Sequence, residues 1–220
     1  MMQTFRALAL GFASAAVLLA GSLAPASSAE DKLPQFVTVI SPIFGQLVAF
    51  SQPSGFVLGF ENVNGSNYIR EVVPNGESVE KWTQMITVTG AKELAEQREV
   101  YPVTVASTIA NGYKKACPKT FSAMSLTPPN IPAYRSFVAV VGCGTVAGKE
   151  PARSEAAIII AIKGESDFYT LQWATRGAAS AEPFVIDRAA WEKRLVDLGP
   201  IRLCRIIAGE KAPYPSCVGQ

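Results

Sequence analysis

The chain has 220 residues, 20 Lys and Arg against 18 Asp and Glu for a formal net charge of +2, and no histidine. Hydrophobic residues make up 49% and charged residues 17%, which excludes a disordered polyelectrolyte, and the scattered basic residues leave no footprint for nucleic acid or anionic lipid. The missing histidine excludes a Ser-His-Asp triad, histidine-ligated zinc and histidine acid–base chemistry.

The first element is a leader. Arg6 precedes an uncharged stretch from Ala7 to Ala24, Pro25 breaks it, and Ser27-Ser28-Ala29 offers the small residues that a signal peptidase reads. Residues 1–29 therefore read as a secretory signal peptide, with an uncleaved membrane anchor as the alternative. Arg6 is its only charge, so cleavage leaves the mature chain near +1. No later apolar run is long enough to span a bilayer. Residues 30–220 are expected to form a single globular domain outside the cytoplasm, in a periplasm by the alanine-rich style of the leader.

Phe36 to Phe50 is apolar but interrupted by Pro42 and Gly45, and is read as one short strand or helix. Phe56 to Val73 reads as a hairpin turning at Asn64-Gly65-Ser66-Asn67. Pro74-Asn75-Gly76-Glu77 is the next turn, and Trp82 to Val88 alternates as a third strand that Gly90 stops. Ala91 to Arg98 is charged and predicted helical. Val105, Ile109, Gly112, Tyr113 and Ala116 recur at helical spacing after Pro102, giving an amphipathic helix that ends near Cys117. Thr120 to Leu126 is a strand, and Pro128 to Pro132 a stiff loop. Ser136 to Val141 and Ala156 to Ile162 are apolar on both faces, as central strands are. Lys163 to Asp167 turns the chain into a strand from Phe168 to Thr175. Asp187 is the N-cap of a last helix to Leu198, with Trp191, Leu195 and Leu198 as its buried stripe. Runs of strands joined by short turns predict an α+β fold: an antiparallel sheet of about six or seven strands with two main helices packed on it.

The four cysteines, Cys117, Cys143, Cys204 and Cys217, allow three pairings, and export reads them as disulfides. Sequence proximity favours Cys117–Cys143 and Cys204–Cys217. A redox dithiol or metal site is the alternative, with neither a Cys-x-x-Cys motif nor a histidine to support it. No metal and no cofactor is expected.

Three motifs imitate active sites. Gly142-Cys143-Gly144-Thr145-Val146-Ala147 fits the dinucleotide fingerprint, but Lys149-Glu150-Pro151 follows where a helix is required, so the glycines are read as shaping a turn beside a bridge. Ser78-Val79-Glu80-Lys81 fits a Ser-x-x-Lys nucleophile without its partner motifs. Glu77 and Glu80 imitate a carboxylate pair, with nothing in the sequence to set their separation.

The stretch Tyr68-Ile69-Arg70-Glu71-Val72-Val73-Pro74-Asn75-Gly76-Glu77-Ser78-Val79-Glu80-Lys81-Trp82-Thr83-Gln84-Met85-Ile86-Thr87-Val88 resembles a signature of uncharacterised exported bacterial proteins, and Ala161 to Tyr169 fits the same family. The resemblance implies an envelope location and no assigned activity. Element order is also similar to the PsbP/Mog1-like fold, which implies an accessory or binding role.

Three functions compete. The leading expectation is a non-catalytic periplasmic accessory or binding protein, its surface running through Tyr68, Arg70, Glu71, Trp82 and Gln84, with an unidentified envelope protein or small ligand as partner. The second is a subunit of an envelope assembly, which predicts a large exposed apolar patch. The third is an envelope hydrolase using a Ser-Lys or carboxylate site.

Overall fold

A computed structural model describes residues 35–148 and 151–218, so the leader and its cleavage position lie outside the described residues. Ten strands and three α-helices follow one another: β1 (Phe36–Ile43), β2 (Gln46–Pro53), β3 (Phe56–Asn64), β4 (Asn67–Pro74), β5 (Gln84–Ala91), α1 (Pro102–Ala116), β6 (Phe121–Leu126), β7 (Arg135–Cys143), β8 (Arg153–Lys163), β9 (Phe168–Ala178), α2 (Arg188–Asp197), β10 (Arg202–Arg205) and α3 (Pro215–Val218). The architecture is α+β. A seven-stranded antiparallel sheet has the order β3-β4-β5-β9-β8-β7-β6, and a three-stranded sheet has the order β1-β2-β10.

The main sheet is organised around β8 and β9. In β8, Ile158, Ile159, Ile160 and Ile162 are fully buried on alternating faces, each contributing about 1.5–3 kcal/mol of apolar burial. On one face Ile158, Ile160 and Leu171 pack with Val48 and Phe50 of the small sheet, with Trp191 of α2 and with Leu198 just after it. On the other, Ala157 and Ala161 let α1 approach closely through Ala106. That helix carries Pro102 in its first turn and Lys114 and Lys115 in its last, which suits the free N–H groups and the dipole. It covers β6, β7 and β8. Asp187 caps α2 by accepting from the Ala190 N–H.

The small sheet differs from the sequence expectation of one short element between Phe36 and Phe50. Pro42 is tolerated because β1 is an edge: Ile43 and Gln46 flank the two-residue turn and bond each other, so position 42 turns its amide away from β2, where no donor is needed. Phe44 and Gly45 form that turn, with Phe44 in the left-handed region at φ 51°. β10, unread in the sequence, completes the sheet by pairing with β2.

Two further expectations are corrected. The strand from Trp82 begins only at Gln84 and continues through Gly90 to Ala91. Gly90 is required by a close approach, since a Cβ there would sit 2.6 Å from Ile43 Cγ2. The predicted helix from Ala91 to Arg98 is a single 3-10 turn, Leu94–Glu96. It is short because Asp167 fixes the chain just before it. One Asp167 oxygen accepts from the Glu93 N–H at 2.9 Å, and the other accepts from the Gly45 N–H at 2.8 Å. The two bridges join Cys117 to Cys143, beside the end of α1, and Cys204 to Cys217, tying β10 to α3.

Candidate functional site

The five residues singled out in the sequence do not gather on one surface. Tyr68, Arg70 and Gln84 face the small-sheet side, whereas Glu71 and Trp82 lie on the opposite face. Tyr68 is buried and donates its hydroxyl to Glu61 of β3, and the Arg70 guanidinium stands 3.9 Å from the same carboxylate. Burial and the Glu61 hydrogen bond hold the Tyr68 phenol well above its usual range. Gln84 accepts from the Trp173 indole N–H at 3.0 Å. Trp82 is buried against Val73 and Met85, with the Arg176 guanidinium 3.4 Å from its ring centre. Arg176 pairs with Glu155 at 2.9 Å, and Tyr113 donates to Glu155 from α1. Glu71 lies on the face of Val73 and Trp82, beside Thr87, where burial raises its carboxyl above the usual range.

The catalytic imitations are not assembled. Ser78 is exposed in a turn and donates to Glu80 at 2.7 Å, while its oxygen accepts the Lys81 backbone N–H rather than meeting the Lys81 amine. Glu77 accepts from both the backbone N–H and the hydroxyl of Thr83, which makes it a turn clasp. Gly142 lies within β7, where a Cβ would collide with the Phe184 ring, and among the described residues the next element is the strand β8. Among the described residues no group of three or more His, Cys, Asp or Glu could hold a metal ion. No helix among them is long and apolar enough to cross a membrane.

Two surfaces combine exposed apolar side chains with a free strand edge. The first is the edge of the main sheet. β3 is exposed along nearly its whole length, including Val57 at 41%, Leu58 at 52%, Phe60 at 43% and Val63 at 59%. Its inner side pairs with β4, and a bulge falls between Leu58 and Phe60. Asn64 and Asn67 bond across the two-residue turn, so the backbone groups of Glu61 and Val63 point away from β4; beyond the bulge, Leu58 does the same. The opposite edge, β6, is shorter, with Leu126 buried and Phe121 packed beside α1. In β3 only Phe56, against Trp173, and Gly59, beneath Val79, lie under other side chains, and the rest of the strand is exposed. It also lacks the Lys and Pro with which exposed edges are usually blunted, and its single charge, Glu61, is held by Arg70 and Tyr68. The sequence-named Tyr68 and Arg70 thus brace the edge from behind.

The second surface is a trench between β10 and the loop before β7. Its main chamber has a volume of about 490 Å³, with Pro132, Ala133 and Tyr134 on one side and all four residues of β10 on the other. It continues past Pro132 and Arg202 toward the end of α2, and past Tyr134 toward Arg135 and Glu165. Gln46 secures Tyr134 by donating to its hydroxyl at 2.9 Å and accepts from the Glu165 N–H at 2.9 Å.

Sequence reasoning missed both surfaces. Phe56-Val57-Leu58-Gly59-Phe60 carries apolar residues at both parities, as a buried central strand does, and β10 is only four residues long. The one local signal is the pair of arginines flanking Leu203-Cys204.

No family model matches the chain, nor does any curated protein. Among solved structures, the chain is similar to the Ran-binding protein Mog1p of Saccharomyces cerevisiae, at 9% identity and a TM-score of 0.39 over 73% of this chain and 84% of that one. A likeness this loose concerns the general fold alone and assigns no residue, ligand or partner to this chain.

Proposed function

We propose that this protein is an exported, non-catalytic binding domain that docks an apolar strand of a different envelope protein along the free edge of β3. The observation that carries this reading is the edge itself: nine residues, four large exposed apolar side chains, an open backbone ladder and no blunting charge. Main-chain bonds at Leu58, Glu61 and Val63 would supply affinity, and the flanking apolar side chains would select an uncharged strand. Placement in the envelope rests on the leader in residues 1–29 and fits the two disulfides. Membership of an exported bacterial family rests on the signature from Tyr68 to Val88. That signature forms β4, the Glu77 clasp and most of β5, which are the elements behind the edge. In this reading Tyr68, Arg70, Glu71, Trp82 and Gln84 act by fixing the edge strand and its neighbours.

The test is the native size of the protein in gentle extracts of the producing cell. Wild type is expected in a species larger than one chain, and Leu58→Lys with Val63→Lys at the size of one chain with an unchanged melting temperature. Equal sizes for the two proteins would refute the reading. A wild-type species of two identical chains would replace the heterologous partner with a second copy.

A further inference from the structure

The trench beside β10 lies on a different sheet from the β3 edge, and three features define its chemistry. First, β10 is an open edge. Ser51 donates its backbone N–H to Leu198 O, which turns Ser51, Ala49 and Leu47 toward β10. Ala49 faces Arg202 and Leu47 faces Cys204, so those two residues bond β2, and the backbone groups of Leu203 and Arg205 point into the trench. Among the described residues no loop backbone bonds them.

Second, the trench has an apolar lining in Pro132, Leu203 and the exposed Ile207. Third, its charge is one-sided. Arg135, Arg202 and Arg205 line it against the single carboxylate Glu165, which pairs with Arg205 at 2.9 Å. Neither Arg135 nor Arg202 has a carboxylate partner among the described residues. Lys163 is turned to the other side of the sheet, where its amine donates to the carbonyls of Gln97 and Val100. The nearby Glu210 is occupied by the backbone N–H and hydroxyl of Ser216.

We propose that this trench takes an extended acidic polypeptide segment as a fourth strand of the small sheet, added to β10. Arg202 and Arg205 stand on opposite faces of β10, because successive odd and even positions alternate. The residues of an added strand that face Arg202 and Arg205 are three positions apart, so two carboxylates at that spacing meet one guanidinium on each face. The backbone groups of Leu203 and Arg205 supply the main-chain bonds, and Ile207 covers an apolar neighbour.

The mature protein, with both bridges oxidised, is titrated into a short fluorescein-labelled peptide of valines bearing two glutamates three positions apart. Binding that weakens with added salt is expected. Three changes are each expected to weaken it by about tenfold or more: glutamine for both glutamates, N-methylation of alternate peptide amides, and Arg202→Glu with Arg205→Glu in a protein of unchanged melting temperature. Should the charge reversal fail to fold, Arg202→Gln with Arg205→Gln serves instead. No binding of the acidic peptide, equal binding of its glutamine version, or full binding of the N-methylated version would overturn the proposal. None of these outcomes touches the β3 edge, so the two proposals fail independently.

Discussion

Replacing Asp167 with alanine tests how the two sheets are joined. The Asp167 carboxylate is 4% exposed and accepts from the Gly45 N–H at 2.8 Å, the Glu93 N–H at 2.9 Å and the Tyr169 hydroxyl at 3.3 Å. It thus ties the turn of the small sheet, the exit of β5 and the β8–β9 turn. Hydrogen bonds to a charged group are worth about 1.5–3 kcal/mol each. Tyr169 keeps its bond to the Ile43 carbonyl, so the loss falls on the two amides. Both amides belong to exposed turn residues, so water recovers part of that loss, and Asp167→Ala is expected to cost about 2–4 kcal/mol. For a chain of this size that corresponds to a melting temperature lower by roughly 4–16 °C. Asp167→Asn, which keeps one acceptor oxygen, should lose about half as much. Thermal unfolding followed by circular dichroism checks both variants. A melting temperature for Asp167→Ala within about 2 °C of wild type would refute the reasoning that this carboxylate couples the sheets.

Three other outcomes are expected. Cys204→Ser with Cys217→Ser opens a bridge spanning a sequence separation of 13 and should lower unfolding free energy by about 3 kcal/mol in denaturant melts, with no change in the β3 edge. Tyr68, Tyr113 and Tyr169 all have phenols raised by burial and by neighbouring carboxylates. The unfolded chain releases those protons near pH 10 and the folded chain holds them, so stability is full below about pH 10 and falls as pH rises above it. Alkaline denaturant melts should show that decline, and phenolate absorbance of the native protein should lag that of the denatured chain. The raised Glu71 carboxyl works in the same direction at lower pH, because its ionised form is the one the fold disfavours. Glu71→Gln should therefore stabilise the protein at neutral pH, and the gain should vanish as pH falls below the ordinary carboxylate value near 4.3, measured by melts across that range.

The main sheet was legible where one physical signal dominated. The isoleucine run of β8 is apolar at both parities and is buried on both faces, and α1 follows the spacing of Val105, Ile109 and Tyr113 behind Pro102. The small sheet was not legible, because its meaning depends on remote partners. Pro42 breaks a central strand but fits an edge, and β10 is a strand only because β2 lies beside it. Tertiary contacts also overrode the helical reading of Ala91 to Arg98, since the Asp167 clasp on Glu93 is invisible at that range. The same limit hid the binding surfaces. Phe56 to Phe60 of β3 and Ala156 to Ile162 of β8 both lack polar side chains, yet one lies on an exposed edge and the other in a buried centre, as the strand order dictates. Tyr68 and Trp82 are both buried behind that edge, so Trp82 packs in the core, as a strand tryptophan is expected to, rather than lining a groove.

The most direct test of the account places a photo-reactive amino acid at position 58 of β3 in the exported protein and irradiates intact cells. The prediction is one covalent product joining this chain to a different envelope protein, with no such product from the same probe at Ser122 of β6. Absence of any product at position 58, or equal products from both edges, would contradict the claim that β3 is where this protein meets its partner.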